Sequence, residues 1–305
     1  MVFRGAIGLL AIVSLSGLPY LLIGLINRAT GRWHGVFYCY AGSPRFIASY
    51  AAPGLVRMFR WRPVPIGVMS QDGRLGLVLA SPMTEADLLD PANAREFAGL
   101  QRRLARIARL TGAPQVSAAG ILPGILRRSH HLSLQDNRPL VVAAVTQAVA
   151  RLETELPDGT RDLILVGGAG HIGRALAPEL AAQGWLCHII DPRMGTEAFP
   201  EGLRGRPAVL LDVSRAGVLE RYVDTLWPGL VLLNEVFPAP SPGFVRRVRQ
   251  KGVRVFHLAG VAGRIHPPLP HGYEGAIPCC AAFPSTEPPD VRLVELPHNS
   301  GQNTS

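Results

Sequence analysis

"LILVGGAGHIGRAL", Leu163 to Leu176, is the stretch that decides the fold. Four apolar residues lead into a glycine-rich turn, and the turn leads into a segment with helical patterning. The turn contains G-x-G-x-x-G at Gly168, Gly170 and Gly173. Between a strand and a helix, each glycine has a physical role. Gly168 permits the tight turn, Gly170 lets the backbone approach a pyrophosphate, and Gly173 lets the helix pack closely on the strand. His171 and Ile172 lie inside the turn, where His171 is placed to contact phosphate or to cap it locally. The helix N-terminus offers unpaired N–H groups and partial positive charge to an anion. The next apolar run, Leu186–Ile190, ends at Asp191, 18 residues after Gly173. An acidic side chain there accepts hydrogen bonds from the adenosine ribose of a dinucleotide. The cofactor expected is therefore NAD or NADP. Asp191 favours NAD, because a carboxylate repels a 2′-phosphate, and Arg193 keeps NADP open.

Outward from this stretch the chain alternates strand and helix. The expected strands are 163–166, 186–190, 208–213, 230–233 and 253–258, with helical stretches at 171–183, 215–226 and 241–251 between them. Such alternation predicts a doubly wound parallel sheet of the Rossmann kind. Asp212 ends the third strand, on the edge where adenine lies in such domains. Asn234 and Glu235 end the fourth, toward the nicotinamide half, although starting a turn explains them equally well. His257 in "VFHLAG" reads as a core histidine.

Ahead of residue 160 the pattern is mixed. Residues 28–65 are aromatic and punctuated by Pro and Gly, which predicts short elements and loops. "PIGVMSQDGRLGLVLASPM" predicts a β-hairpin about Gln71-Asp72-Gly73. Apolar residues at helical spacing predict a helix over 92–111 stopped by Gly112, and a second follows in "RPLVVAAVTQAVARLETEL". The expected organisation is an apolar segment at 1–27, an α/β cap domain at 28–159, an NAD(P)-binding domain at 160–285 and a tail at 286–305 whose end is frayed.

"GAIGLLAIVSLSGLPYLLIGLIN" carries no charge, with Arg4 before it and Arg28 and Arg32 after it. Its length suits a membrane anchor. The flanking arginines place the bulk of the chain in the cytoplasm, at the inner face of the membrane. The competing reading is a soluble buried hairpin broken by Pro19 and glycines. The net charge of +9 comes mostly from arginine. No aromatic-interleaved basic strip or nucleic-acid module accompanies it, so nucleic acid is not an expected partner. The four cysteines, Cys39, Cys187, Cys279 and Cys280, form neither a disulfide framework nor a zinc pattern, and no metal site is expected. In "IPCCAAF" a cysteine in a Pro-containing loop suits a thiolate nucleophile or, equally, an inert buried thiol.

A mixed domain with a hairpin and a long helix leading into a Rossmann domain resembles the shikimate-dehydrogenase and glutamyl-tRNA-reductase architecture. Within that group the chain is most similar to long-chain acyl-acyl-carrier-protein reductases. "AAGILPGIL" (118–126), the 163–176 stretch and "PCCAAF" stand in place of their motifs, while Phe283 stands where they carry an acidic residue. The resemblance implies NAD(P)-dependent reduction of an acyl thioester or aldehyde on a small-molecule or carrier-bound substrate, with Cys280 as nucleophile. "GAGHIGRAL…IIDPR" is also similar to the maturation proteins of xanthine dehydrogenase, which implies the alternative of a non-catalytic NAD(P)-binding accessory or sensor protein. Homo-oligomerisation stays open.

Overall fold

The computed structural model describes residues 2–41, 47, 53–126, 134–269, 272, 273 and 275–297. The frayed end expected at 297–305 lies outside the described residues from 298 on. Two compact units emerge. The first comprises Met1–Asn137 with Gly263–Leu269 and Cys280–Phe283, and the second Arg138–Ala262 with Pro270–Cys279 and Pro284–Ser305.

The first unit begins with two helices, α1 (Val2–Ser14) and α2 (Leu18–Thr30). It continues through β1 (Trp33–Tyr40), α3 (Pro53–Phe59), β2 (Val64–Gln71), β3 (Arg74–Ser81), α4 (Glu85–Leu89), α5 (Ala94–Thr111), β4 (Gln115–Ala118) and α6 (Leu122–Leu126). The β2–β3 hairpin forms where its turn chemistry predicts it. Asp72 and Gly73 both have positive φ, 49° and 75°, as a two-residue turn matched to strand twist requires. The punctuated sequence predicts loop at β1, yet this strand is interior to the sheet and runs parallel to both β3 and β4. Its middle four residues, Gly35–Tyr38, are buried, and Val36, Phe37 and Tyr38 are each at most 1% exposed. Burial on both faces removes the alternation that marks a strand in sequence. A short β10 (Arg264–His266) completes this five-stranded sheet beside β2.

The apolar N-terminal run does not form one long helix. It breaks at Gly17 (φ 77°), ahead of Pro19 in the first turn of α2, and the two helices bend by 77°. Among the described residues no single helix is long and apolar enough to cross a membrane. α2 instead packs on α5. A Cβ at Gly24 would lie 1.9 Å from the Leu110 carbonyl oxygen. Asn27 caps the same contact, its amide donating to the Trp33 and Thr111 carbonyls and its oxygen accepting from the Trp33 N–H.

The second unit opens with α7 (Arg138–Leu152), although the boundary expected at 160 places this helix in the cap. Then come β5 (Asp162–Val166), α8 (Gly173–Ala182), β6 (Leu186–Ile190), β7 (Ala208–Asp212), β8 (Leu230–Asn234), α9 (Pro242–Gln250) and β9 (Arg254–Val261). The connection between β7 and β8 is a 3-10 turn at Leu219–Thr225 rather than the α-helix expected at 215–226. Strands β5 to β9 are parallel, and the order is β11-β9-β8-β7-β5-β6. The chain leaves β5 on one side for β6 and returns on the other to β7. That makes β5/β7 the switch point, outside whose carboxyl ends a doubly wound sheet binds ligands. β11 (Val291–Glu295) pairs antiparallel with β9, so the segment expected as a tail is a sheet strand. A Pro-rich approach and a length of only five residues hide it in the sequence.

In a free helix, Gly→Ala gains about 1 kcal/mol. At Gly24 the Leu110 carbonyl reverses the sign, because overpacking costs about 1–3 kcal/mol. Gly24→Ala is expected to lower stability by about 1–2 kcal/mol, read as a fall in the thermal midpoint; a rise would show that α2 does not dock on α5 as described.

Candidate nucleotide site at the sheet edge

The glycine turn closes by a hydrogen bond from the Gly170 N–H to the Gly167 carbonyl, 2.9 Å. Gly167 carries the left-handed backbone (φ 91°), so the tight-turn role expected of Gly168 belongs to its neighbour. Gly168 is required for another reason: a Cβ there would meet the Ile189 side chain at 2.4 Å. Gly173 behaves as its spacing predicts. A Cβ on it would strike the Gly167 oxygen at 2.4 Å and Gly168 Cα at 2.7 Å, so helix α8 starts hard against the turn. At Gly170 a Cβ would crowd the Gly167 oxygen at 3.0 Å, with an Arg193 nitrogen 3.8 Å away.

α8 has no side-chain cap. Within its entry the Arg174 N–H bonds to the Gly170 carbonyl, and the Ala175 and Leu176 N–H groups bond to the Ile172 carbonyl. Among the described residues no protein acceptor meets the Ile172 or Gly173 N–H. Two donors thus remain at the positive end of the helix. His171 is exposed in the same turn.

Asp191 stands at the end of β6, buried, and its carboxylate is fully engaged. Oδ2 accepts from the Ala169 N–H at 2.9 Å and from the Arg193 guanidinium at 2.9 Å. Oδ1 accepts from Arg193 Nε and from the Arg193 N–H. The Arg193 side chain, foremost, holds this carboxyl down to about 2, with the two backbone donors adding to it. Asp191 therefore ties the glycine turn to the end of β6, and the exposed side of Arg193 lies beside Gly170.

Across the switch point, Asp212 is buried at the end of β7 and accepts from the Ser214 N–H and Oγ–H at 3.0 and 2.5 Å. Burial pushes its carboxyl up to about 6 against those two bonds. Ser214 also abuts Gly167, whose Cβ would lie 2.7 Å from Ser214 Cα. Ser214 is not among the residues that the sequence singles out, although Asp-x-Ser after a buried strand is a turn signature able to mark it. Glu235 follows β8 and donates its N–H to the Asp212 carbonyl. Burial first, and the Asp212 charge second, push the Glu235 carboxyl up to about 8.

Asn234 is buried and turned to structure. Its amide nitrogen donates to the Val236 carbonyl at 2.7 Å and lies 2.9 Å from His257 Nδ1. His257 is a core residue, as its strand context predicts, and burial lowers its pKa. The residues singled out from sequence between Gly168 and Glu235 fall in the second unit, ringing the carboxyl ends of β5, β6, β7 and β8. Cys280 falls in the first unit, half-buried in a short 3-10 turn, Cys279–Ala281, with its carbonyl bonded by the Asn137 amide.

Raised carboxyl values have a definite sign in stability. Glu235, ordinarily at 4.5, holds its proton up to about pH 8 in the fold. The native state then binds more protons than the unfolded chain across that window, and stability falls as pH rises through it. Glu235→Gln is expected to flatten the decline between about pH 5 and 8 in denaturant titrations, and an unchanged slope would contradict it.

Solved structures resemble this chain at low identity and low TM-score. Shikimate 5-dehydrogenase from Thermus thermophilus, in complex with NADP(H) and shikimate, is 16% identical, with a TM-score of 0.40 over 72% of this chain and 85% of that one. The same enzyme with shikimate gives 15% and 0.40, over 73% and 85%. A D-isomer specific 2-hydroxyacid dehydrogenase from Lactobacillus delbrueckii ssp. bulgaricus, in its NAD-complexed form, gives 14% and 0.32, over 82% and 91%. The likeness is one of fold, a small mixed-sheet domain with a Rossmann-like domain. No protein-family model matches the chain, and no curated protein matches it.

Proposed function

We propose that the second unit binds NAD(P) at the Gly167–Gly173 turn and that the protein is an NAD(P)-dependent oxidoreductase. The observation that carries this reading is the pair of unpartnered N–H groups, Ile172 and Gly173, at an uncapped helix N-terminus reached over glycines where a side chain would collide. Gly170 and these N–H groups would hold the pyrophosphate, and Arg193, held in place by Asp191, would face the adenosine ribose. Glu235 holds a proton at neutral pH at the same edge, beside the Asp212 carboxylate. When bound, the reduced nicotinamide supplies a hydride.

Asp191 alone would discriminate against a 2′-phosphate. Its bidentate pairing with Arg193 cancels that charge and sets a guanidinium beside Gly170. This geometry shifts the preference that the sequence assigns to NAD toward accepting NADP as well. The acyl reading adds a covalent step on Cys280. Its thiolate attacks the thioester carbonyl and expels the donor thiol, which leaves an acyl group on Sγ for reduction. The accessory-protein reading draws support from Asn234 and His257, which are spent on each other at the end of β8 and on β9.

Fluorescence titration with NADH and NADPH tests the first claim, and loss of reduced-cofactor absorbance with aldehydes and acyl thioesters tests the second. Binding of both nucleotides is expected. Gly170→Val should weaken both at least tenfold while leaving the fold intact by circular dichroism. Arg193→Ala should weaken NADPH about tenfold more than it weakens NADH, as loss of one charge-assisted contact to the 2′-phosphate implies. Absence of nucleotide binding overturns the proposal. Cys280→Ala should abolish acyl trapping, and full turnover by that variant removes Cys280 from the chemistry.

A further inference from the structure

Among the described side chains, the N-terminal helix pair meets the rest of the first unit on one side. On that side Ala11 packs with Phe59 and Val64, Tyr20 enters the core, and Gly24 closes on Leu110. On the other side ten large apolar side chains of the two helices and their bend are exposed. Leu9 is 66% exposed, Leu22 50% and Ile26 54%. A soluble surface rarely leaves so many together.

The charges that the first 71 residues carry have one sign. Residues 1–71 contain seven arginines and no aspartate or glutamate. Arg28 and Arg32 follow the exposed face of α2. The Arg106 guanidinium of α5 reaches the bend, 3.6 Å from a Cβ built on Gly17, and Arg102 and Arg109 are exposed on the same helix. Leucines bounded by arginines match a lipid surface whose acyl boundary lies beneath anionic phosphates. A second copy would bring the same acid-free surface, and like charges would oppose it. Each helix has 13 residues, about 20 Å at 1.5 Å per residue, short of a hydrocarbon core of about 30 Å.

We propose that α1 and α2 form a monotopic docking element that seats the first unit on an anionic phospholipid leaflet without crossing it. Vesicle flotation of the full-length chain tests this. The protein is expected to float with phosphatidylcholine–phosphatidylglycerol vesicles and about tenfold less with phosphatidylcholine alone. Leu22→Glu combined with Leu25→Glu should cut binding at least tenfold with an unchanged thermal midpoint, because both side chains face outward. Arg106→Gln with Arg109→Gln should erase only the preference for anionic lipid. Three results overturn the proposal: no flotation, retention through an alkaline carbonate wash as for an integrated span, or a solution dimer that the Leu22/Leu25 variant splits and that never binds vesicles.

Discussion

The Asp191 carboxylate is the joint on which the second unit's site depends. It lies buried at the end of β6 and accepts from the backbone of Ala169, in the turn after β5. Two adjacent parallel strands are thereby linked at their carboxyl ends, where the ladder itself has stopped. The turn can close that tightly only without side chains. Gly168 yields to Ile189, and Gly173 yields to the Gly167 carbonyl. The charge left on a buried carboxylate must be met, and Arg193 meets it with two parallel bonds. The glycines, the acid and the arginine are thus one packing solution, and the free N–H groups of Ile172 and Gly173 are what it leaves open to an anion.

The same edge sorts its carboxyl groups by environment. Asp191 is ionised because three N–H sources surround it. Asp212 has only Ser214 to offset its burial, and Glu235 sits beside Asp212 and shares its disadvantage. Two neighbouring acids whose charges repel retain a proton between them at neutral pH. A site that gathers an ionised acid, a cation and a held proton within one sheet edge has the means to bind an anionic ligand and to move a proton.

Much of this is legible in the sequence. Five apolar runs at even spacing mark the parallel strands nearly to the residue, because four of the five strands are almost wholly buried and have no polar face to confuse them. The fingerprint and Asp191 are legible because close approach demands glycine and because the spacing of a strand–helix–strand unit is nearly fixed. The rest is hidden for physical reasons. β1 contains Gly35, which a glycine count reads as a loop, yet a Cβ there would meet the Phe283 ring at 2.7 Å. That glycine marks a packing contact with a residue 248 positions later in the chain. β11 is defined by its partner β9 rather than by its own pattern. Asn234 resembles a ligand because polar residues end strands at sites, but its partner His257 is 23 residues away, and nothing local reveals it.

Charge shows the same contrast between a total and its placement. Net +9 reads as a diffusely basic surface, the kind a solvated helix face produces. Residues 1–71 alone carry seven arginines without one acid. Of these Arg60 pairs with Asp87, whereas in the second unit Arg254 bridges Glu155 and Glu295, Arg151 pairs Asp290, and Arg206 pairs the buried Asp162. Exposed pairs of this kind contribute little to stability, but they cancel the field that an unpaired guanidinium would project. The basic character of the protein is therefore carried by the end of the chain that also exposes its leucines. An excess of one charge persists at such a surface at the cost of self-repulsion, and a counter-surface of opposite sign relieves it.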